Sequence, residues 1–217
     1  MKKTGSRVNS KFIEVSLPIE KNPGMDCGAL AIQMLMLTDI PEKKDEVLLK
    51  KIRKRVQKSL NESTLPGNIC KVLKKIGYNV SFFSMIDWRS IANKDFDNWD
   101  HRVRELINND RHALEYPNSI NVKKLQDSAK WLISANLISR KKFTIGLLAK
   151  FLREGKRVIA LVDNGTHYVV IIGIDRENVY YNDPTFEPVK AIKTHDEFMS
   201  YWGIAQSMTE AIVVSIL

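Results

Sequence analysis

The sequence predicts an α+β fold, with an N-terminal helical part packed on a C-terminal antiparallel sheet. Two observations carry that expectation. The early chain has apolar residues at helical spacing, as in "CGALAIQMLMLT" (27–38) and "KKDEVLLKKIRKRVQKSL" (43–60). The last third alternates short apolar runs with tight turns, as in "RVIALVDNGTHYVVIIGIDRENVYYND" (157–183). Closely spaced strands with short connections pair antiparallel, because a parallel pair needs a long crossover.

The helices follow in order. "PIEKNPG" is a turn-rich approach to a first helix over about 27–38, and Pro41 breaks the pattern. In the next helix Val47, Leu48, Ile52, Val56 and Leu60 share one face, so its many Lys and Arg residues take the other. "PGNICKVLKKI" (66–76) reads as a third helix closed by Gly77, followed by the strand "YNVSFFS" with Val80 and Phe82 alternating with Ser81 and Phe83. Cys70 lies inside that third helix and reads as a buried small apolar residue.

Residues 87–142 differ in character. They carry Trp88, Trp99, His101, His112, Tyr116 and Trp131, with helical stretches near 97–108 and 121–135. The chain therefore reads as a single domain, 1–217, with a helical insertion at about 87–142. The tryptophans are expected to form a small core of that insertion. No acidic or cysteine cluster accompanies its histidines at ligand spacing, so no metal and no cofactor is expected. Further on, Thr144 is an N-cap for a helix ending at Gly155, Thr194 caps a short helix over "HDEFMSYW", and "EAIVVSIL" is a final strand.

Composition excludes several classes. The chain has 217 residues, is 44% hydrophobic and carries a formal net charge of +9. That length supports a sizeable core. The positive charge is dispersed, and neither zinc-finger spacing nor an aromatic RNA-binding strand accompanies it, so no nucleic-acid partner is expected. No apolar run spans a bilayer and no signal-peptide pattern opens the chain, which points to a cytoplasmic setting. Two distant cysteines make no disulfide framework.

One of those cysteines raises a chemical question. A thiolate is the reactive form of cysteine, and a helix N-terminus favours it through unpaired N–H groups and the helix dipole. Cys27 stands at such a terminus, with Gly28 permitting close approach and an apolar helix body to anchor it. Alone, it is as readily a structural residue. A nucleophile also needs a base, and the base needs an orienting group. His167 begins the strand "HYVVIIGID" and Asp183 ends the strand "VYYND". If these strands form a hairpin about Arg176 and Glu177, antiparallel pairing brings His167 and Asp183 to the same edge of the sheet. His195, in the first turn of the short helix, reads as a surface residue.

The segments "DCGALAIQMLM", "THYVVIIGID" and "VYYNDPTFEPVKAI" resemble the papain-like cysteine peptidases that process bacteriocins with double-glycine leaders. The resemblance implies a papain-like fold, Cys27 as nucleophile, His167 as general base, Asp183 as orienter, and a peptide or protein substrate. It covers the two ends of the chain well and the 87–142 segment not at all. In that family a glutamine six residues before the nucleophile donates to the oxyanion. Here the position is Lys21, and Asn22 follows it; these two are the candidate side-chain donors. The departure keeps two other readings open: a papain-like domain that binds a peptide or protein partner with little or no catalysis, and an acyltransferase on the same triad. No GxxxxGK[ST] loop or membrane span occurs, so a stand-alone domain is expected.

Overall fold

A computed structural model describes residues 27–39, 46–56, 64–93, 122–163, 165–184, 190–202 and 209–216, the side chains of 46–49 and 122 excepted. Lys21, Asn22, His101, His112, Trp99 and the expected helix at 97–108 lie outside these residues.

Among the described residues, the centre is a seven-stranded sheet in the order β2-β1-β7-β3-β4-β5-β6. Its strands are β1 (Tyr78–Phe83), β2 (Ile138–Ser139), β3 (Arg157–Val162), β4 (His167–Ile174), β5 (Asn178–Asn182), β6 (Lys190–Thr194) and β7 (Glu210–Ile216). All neighbours pair antiparallel except β1 and β2, which run parallel. The final strand β7 sits between β1 and β3, so the sheet joins the early and late parts of the chain.

Helices cover both faces. On one lie α1 (Cys27–Asp39), α2 (Glu46–Val56), α3 (Pro66–Lys75), α4 (Trp88–Ala92) and α5 (Val122–Ser134). Their side chains meet Tyr78, Val80, Phe82, Ile159, Leu161, Tyr168, Val170, Ile212 and Val214 of the sheet. On the other lie α6 (Ile145–Arg153) and α7 (His195–Tyr201), over Val158, Ala160, Val169, Ile171, Tyr181 and Val213. The two layers implied by the sequence are therefore three. The strands explain why: β3, β4 and β7 are apolar at successive positions, so both faces need cover.

Local signals behave as the sequence indicates. Pro66 opens α3 at its first turn, where a missing N–H costs nothing. Gly77 leaves the helix with φ +105°, a conformation that favours glycine. The Thr144 hydroxyl accepts from Leu147 N at 3.2 Å, and Thr194 with Glu197 forms a capping box. Helix α2 buries Ile52 and Val56 and exposes Lys50, Lys51, Lys54 and Arg55.

The described part of 87–142 joins the main core. Trp88, Ile91, Leu125, Ala129 and Leu132 are buried in the cluster that holds α1, and Trp131 packs against it half-buried. Trp88 also donates its Nε1–H to Ser84 Oγ at 2.9 Å. The expected separate tryptophan core is thus part of the central one for Trp88 and Trp131.

Helix α1 is buried on nearly every side, with Ala29, Ala31, Ile32 and Met34 fully enclosed. A helix apolar all round belongs inside a core rather than on its surface. Its far end is fixed by Asp39, whose side chain is 1% exposed. Arg157 donates to Asp39 Oδ1 through Nε at 3.2 Å and Nη2 at 2.9 Å, and Tyr78 OH donates to Oδ2 at 3.1 Å. A carboxylate is unfavourable at a helix C-terminus, and the guanidinium offsets that. Asp39→Ala strands Arg157 with only part of its charge in water. The expected loss is about 3 kcal/mol of unfolding free energy, read by urea denaturation; an unchanged urea midpoint would contradict it.

Candidate active site

Three elements bring the predicted residues to one place. Cys27 is the first residue of α1, and α1 lies on β4. His167 is the first residue of β4, and Asp183 directly follows β5. All three are shielded, with the His167 side chain 12% exposed and that of Asp183 5%.

The β4–β5 hairpin carries a feature that sets the alignment. Near the turn Ile174 pairs with Val179 and Gly173 with Tyr180, but beyond it Ile171 pairs with Tyr181 and Val170 with Asn182. Ile172 is the extra residue of a β-bulge. A one-residue shift moves every later side chain to the opposite face. Continued past Asn182, the bulged register sets Asp183 opposite Val169, two residues from His167 and on the same side. Without the bulge Asp183 would fall opposite Val170 and face the other way. The turn itself is secured by Asp175, which accepts from Glu177 N at 2.9 Å, Asn178 N at 2.8 Å and Tyr180 OH at 2.6 Å. The Tyr180 bond foremost, then that from Glu177 N, hold its carboxyl down at about 2 against the opposing effect of burial.

The result is a contact of 2.8 Å between His167 Nε2 and Asp183 Oδ1. The Cys27 sulfur lies close enough to the same imidazole to act on its charge. With Nε2 engaged by the carboxylate, Nδ1 is the ring atom left for sulfur. Burial is the largest influence on this ring and opposes its charged form. The hydrogen bond to Asp183, the contact with Cys27 and the negative charges of both outweigh it and push His167 up to about 10.

Cys70 sits in the same core under different conditions. It is fully buried, and desolvation pushes its thiol well up, with the charge of Glu210 adding to the effect. It is the inert cysteine that the sequence indicates. Both cysteines are free thiols.

His195 is half-buried rather than exposed. Its backbone N–H donates to Glu177 O at 2.8 Å, which draws the start of α7 onto the β4–β5 turn. Two polar residues that the sequence did not single out lie close to the tip of α1 or below it. Thr64 lies against Gly28, and Glu210 is buried with a hydrogen bond from Ser84. Burial pushes the Glu210 carboxyl up to about 7, with Ser84 and Trp88 acting in the opposite sense. No sequence periodicity marks either residue: Thr64 stands in a loop and Glu210 begins an apolar strand.

No protein-family model matches the chain, and no curated protein matches it in sequence. Among solved structures, it is similar to a double glycine motif protease from an AMS/PCAT transporter, crystallised in complex with the leader peptide. The two share 12% identity with a TM-score of 0.50, over 95% of this chain and 94% of the other. A second similar structure is the peptidase domain of Streptococcus ComA, a bi-functional ABC transporter of a quorum-sensing pathway. It has 11% identity and a TM-score of 0.46, over 95% and 99% of the two chains. The chain shares the fold of that double glycine motif protease, an α+β arrangement of helices on a mixed sheet, as its sequence motifs imply.

Proposed function

We propose that this chain, folded as a double-glycine peptidase domain is folded, is a thiol hydrolase that cleaves a peptide bond. Cys27 is the nucleophile, His167 carries the proton and Asp183 orients the ring. One observation carries the reading: a single imidazole bonded to Asp183 at 2.8 Å stands at the end of the strand on which α1 lies, close enough to the helix-tip sulfur to be influenced by it. Chains of this fold include one crystallised with a leader peptide, which supports a peptide as substrate.

The chemistry follows from the charges. His167 takes the thiol proton, and sulfur attacks the carbonyl as a thiolate. The imidazolium then gives its proton to the departing amine nitrogen. In the second half-reaction the neutral ring takes a proton from water, which opens the thioester and restores the thiol. Asp183 supports the charged ring throughout. In this reading the chain acts as one domain in a reducing, cytoplasmic setting. Among the described residues, no helix is long and apolar enough to cross a membrane.

Competitive labelling tests the nucleophile. Folded protein exposed briefly to iodoacetamide, then digested and mapped by mass spectrometry, is expected to carry the label on Cys27 and not on Cys70. Equal labelling of the two, or none on Cys27, would contradict the assignment. The departure at Lys21 favours a second reading, a binding domain with the same fold and no turnover. An unreactive Cys27 would support it.

A further inference from the structure

Along the sequence the positive charge reads as dispersed, and folding gathers part of it. Helices α2 and α3 each bury one side in the central cluster, through Ile52 and Val56 of α2 and Ile69, Cys70, Val72 and Leu73 of α3. The two helices pack against each other. They are joined where Asn68 Nδ2 donates to Val56 O at 3.1 Å, a bond that satisfies a carbonyl in the last turn of α2. Their outward sides are therefore neighbours.

Those sides carry one sign of charge. The exposed side chains described on α2 are Lys50, Lys51, Lys54 and Arg55, and those on α3 are Lys71, Lys74 and Lys75. Spacings of three and four residues put each set on one helix face. Among the described side chains of the two helices there is no carboxylate, and none of these exposed cations forms an ion pair with a described residue. Cations elsewhere have acids beside them. Lys150 and Lys156 reach Glu154, Arg140 reaches Asp87 and Arg157 reaches Asp39. Like charges gathered on one face repel, and an anionic partner removes that repulsion.

The chemistry of the face selects the partner. Among the described residues the exposed large hydrophobics are Ile192 and Ile216, on β6 and β7, so this face has none. A protein interface is anchored by aromatic and apolar side chains. Single-stranded nucleic acid is held by stacking on aromatic rings. Duplexes are positioned by hydroxyl and amide side chains together with arginine forks. The exposed residues of this face are lysines with Arg55 alone among them. Lysines are flexible point charges, suited to a surface whose anions are diffuse and mobile. Two packed helices, with axes about 8–10 Å apart, also present a broad surface rather than a pointed one.

We propose that the α2–α3 face docks the protein on an anionic lipid bilayer, its lysines against the charged headgroups. The contact is peripheral, reversible and sensitive to salt, because the face has no apolar wedge to insert. It goes beyond the peptidase reading and does not depend on the chemistry of Cys27.

Co-sedimentation of the full-length protein with sucrose-loaded vesicles tests this. One set of vesicles is phosphatidylcholine alone, and the other has two parts phosphatidylcholine to one part phosphatidylglycerol. Wild type is expected to sediment with the mixed vesicles and not with the neutral ones, and to be released at about 1 M salt, where charges are screened within about 3 Å. Each lysine near an anionic surface contributes roughly fivefold in affinity, so the triple variant Lys71→Gln/Lys74→Gln/Lys75→Gln is expected to bind about 100-fold more weakly. A control removes the same charge from the opposite side of the sheet, on α6 or just before it. Lys142→Gln/Lys150→Gln/Arg153→Gln is expected to bind within a few-fold of wild type. Far-ultraviolet dichroism shows that both variants are folded. An equal loss in the two variants would overturn the proposal, because net charge alone would then govern binding. So would equal sedimentation with both kinds of vesicle, or none with either. Retention on duplex DNA or on polyglutamate without retention on the mixed vesicles would also overturn it, and would give the face to a nucleic acid or to an acidic protein.

Discussion

His167→Ala is expected to slow the acylation of Cys27 by p-nitrophenyl acetate at neutral pH by roughly 100- to 10,000-fold. The imidazole does two things for the thiol. It accepts the proton, and as a cation it stabilises the negative sulfur beside it. Both vanish with the ring. The fold is expected to survive, because His167 begins β4 at the rim while Val169, Val170 and Ile171 keep the strand in its cores. Stopped-flow release of p-nitrophenolate gives the rate, and the far-ultraviolet dichroism spectrum shows whether the variant is folded. A folded variant that acylates within a few-fold of wild type would mean that Cys27 does not use this base.

The second large effect concerns Asp183, and two variants divide its roles. Asp183→Ala removes both the acceptor at Nε2 and the charge, and is expected to slow acylation about 100-fold or more. Asp183→Asn keeps an oxygen that can accept from Nε2–H and loses only the charge. Its rate loss is expected to be the smaller of the two. Its clearest effect is on titration. The bond to Asp183 is the largest influence raising His167, which reaches about 10. Ring-proton resonances followed by NMR are expected to titrate near that value in the wild type and at lower pH in Asp183→Asn.

The same shift fixes the sign of a stability effect. His167 has a folded value above its ordinary 6.5, so charged His167 binds its partners in the native state more strongly than in the unfolded one. Its contribution is full below about pH 6.5 and is lost as pH rises through about 10. The stability gap between wild type and Asp183→Asn is therefore expected to be wider at neutral pH than above pH 10. An unchanged titration midpoint in Asp183→Asn would contradict the charge pairing.

Much of this was legible in the chain because it depends on local pattern. The helix of "CGALAIQMLML" and the hairpin of "HYVVIIGIDRENVYYND" both read directly, and with them the approach of His167 and Asp183 to one edge of the sheet. What was hidden depends on long-range contact. The bulge at Ile172 decides the face on which Asp183 lies, yet the sequence marks it only by Gly173. Strand β6, "KAIKT", is an edge strand with exposed Lys190, Ile192 and Thr194, so no apolar run announces it. The third layer follows from both faces of β3, β4 and β7 being covered, which a two-layer reading of the segments missed. Thr64 stands more than thirty residues from Gly28 in a loop, and only packing reveals that they touch. Glu210 reads as the polar start of a strand and is buried beside Ser84.

The most direct test of the triad is to trap the acyl-enzyme. Protein exposed briefly to p-nitrophenyl acetate at neutral pH is quenched in acid, digested and mapped for acetyl groups. The expected result is a thioester on Cys27, none on Cys70, and loss of the Cys27 acetyl in His167→Ala. Acetyl groups confined to surface lysines, with Cys27 unmodified, would contradict a nucleophile at the tip of α1.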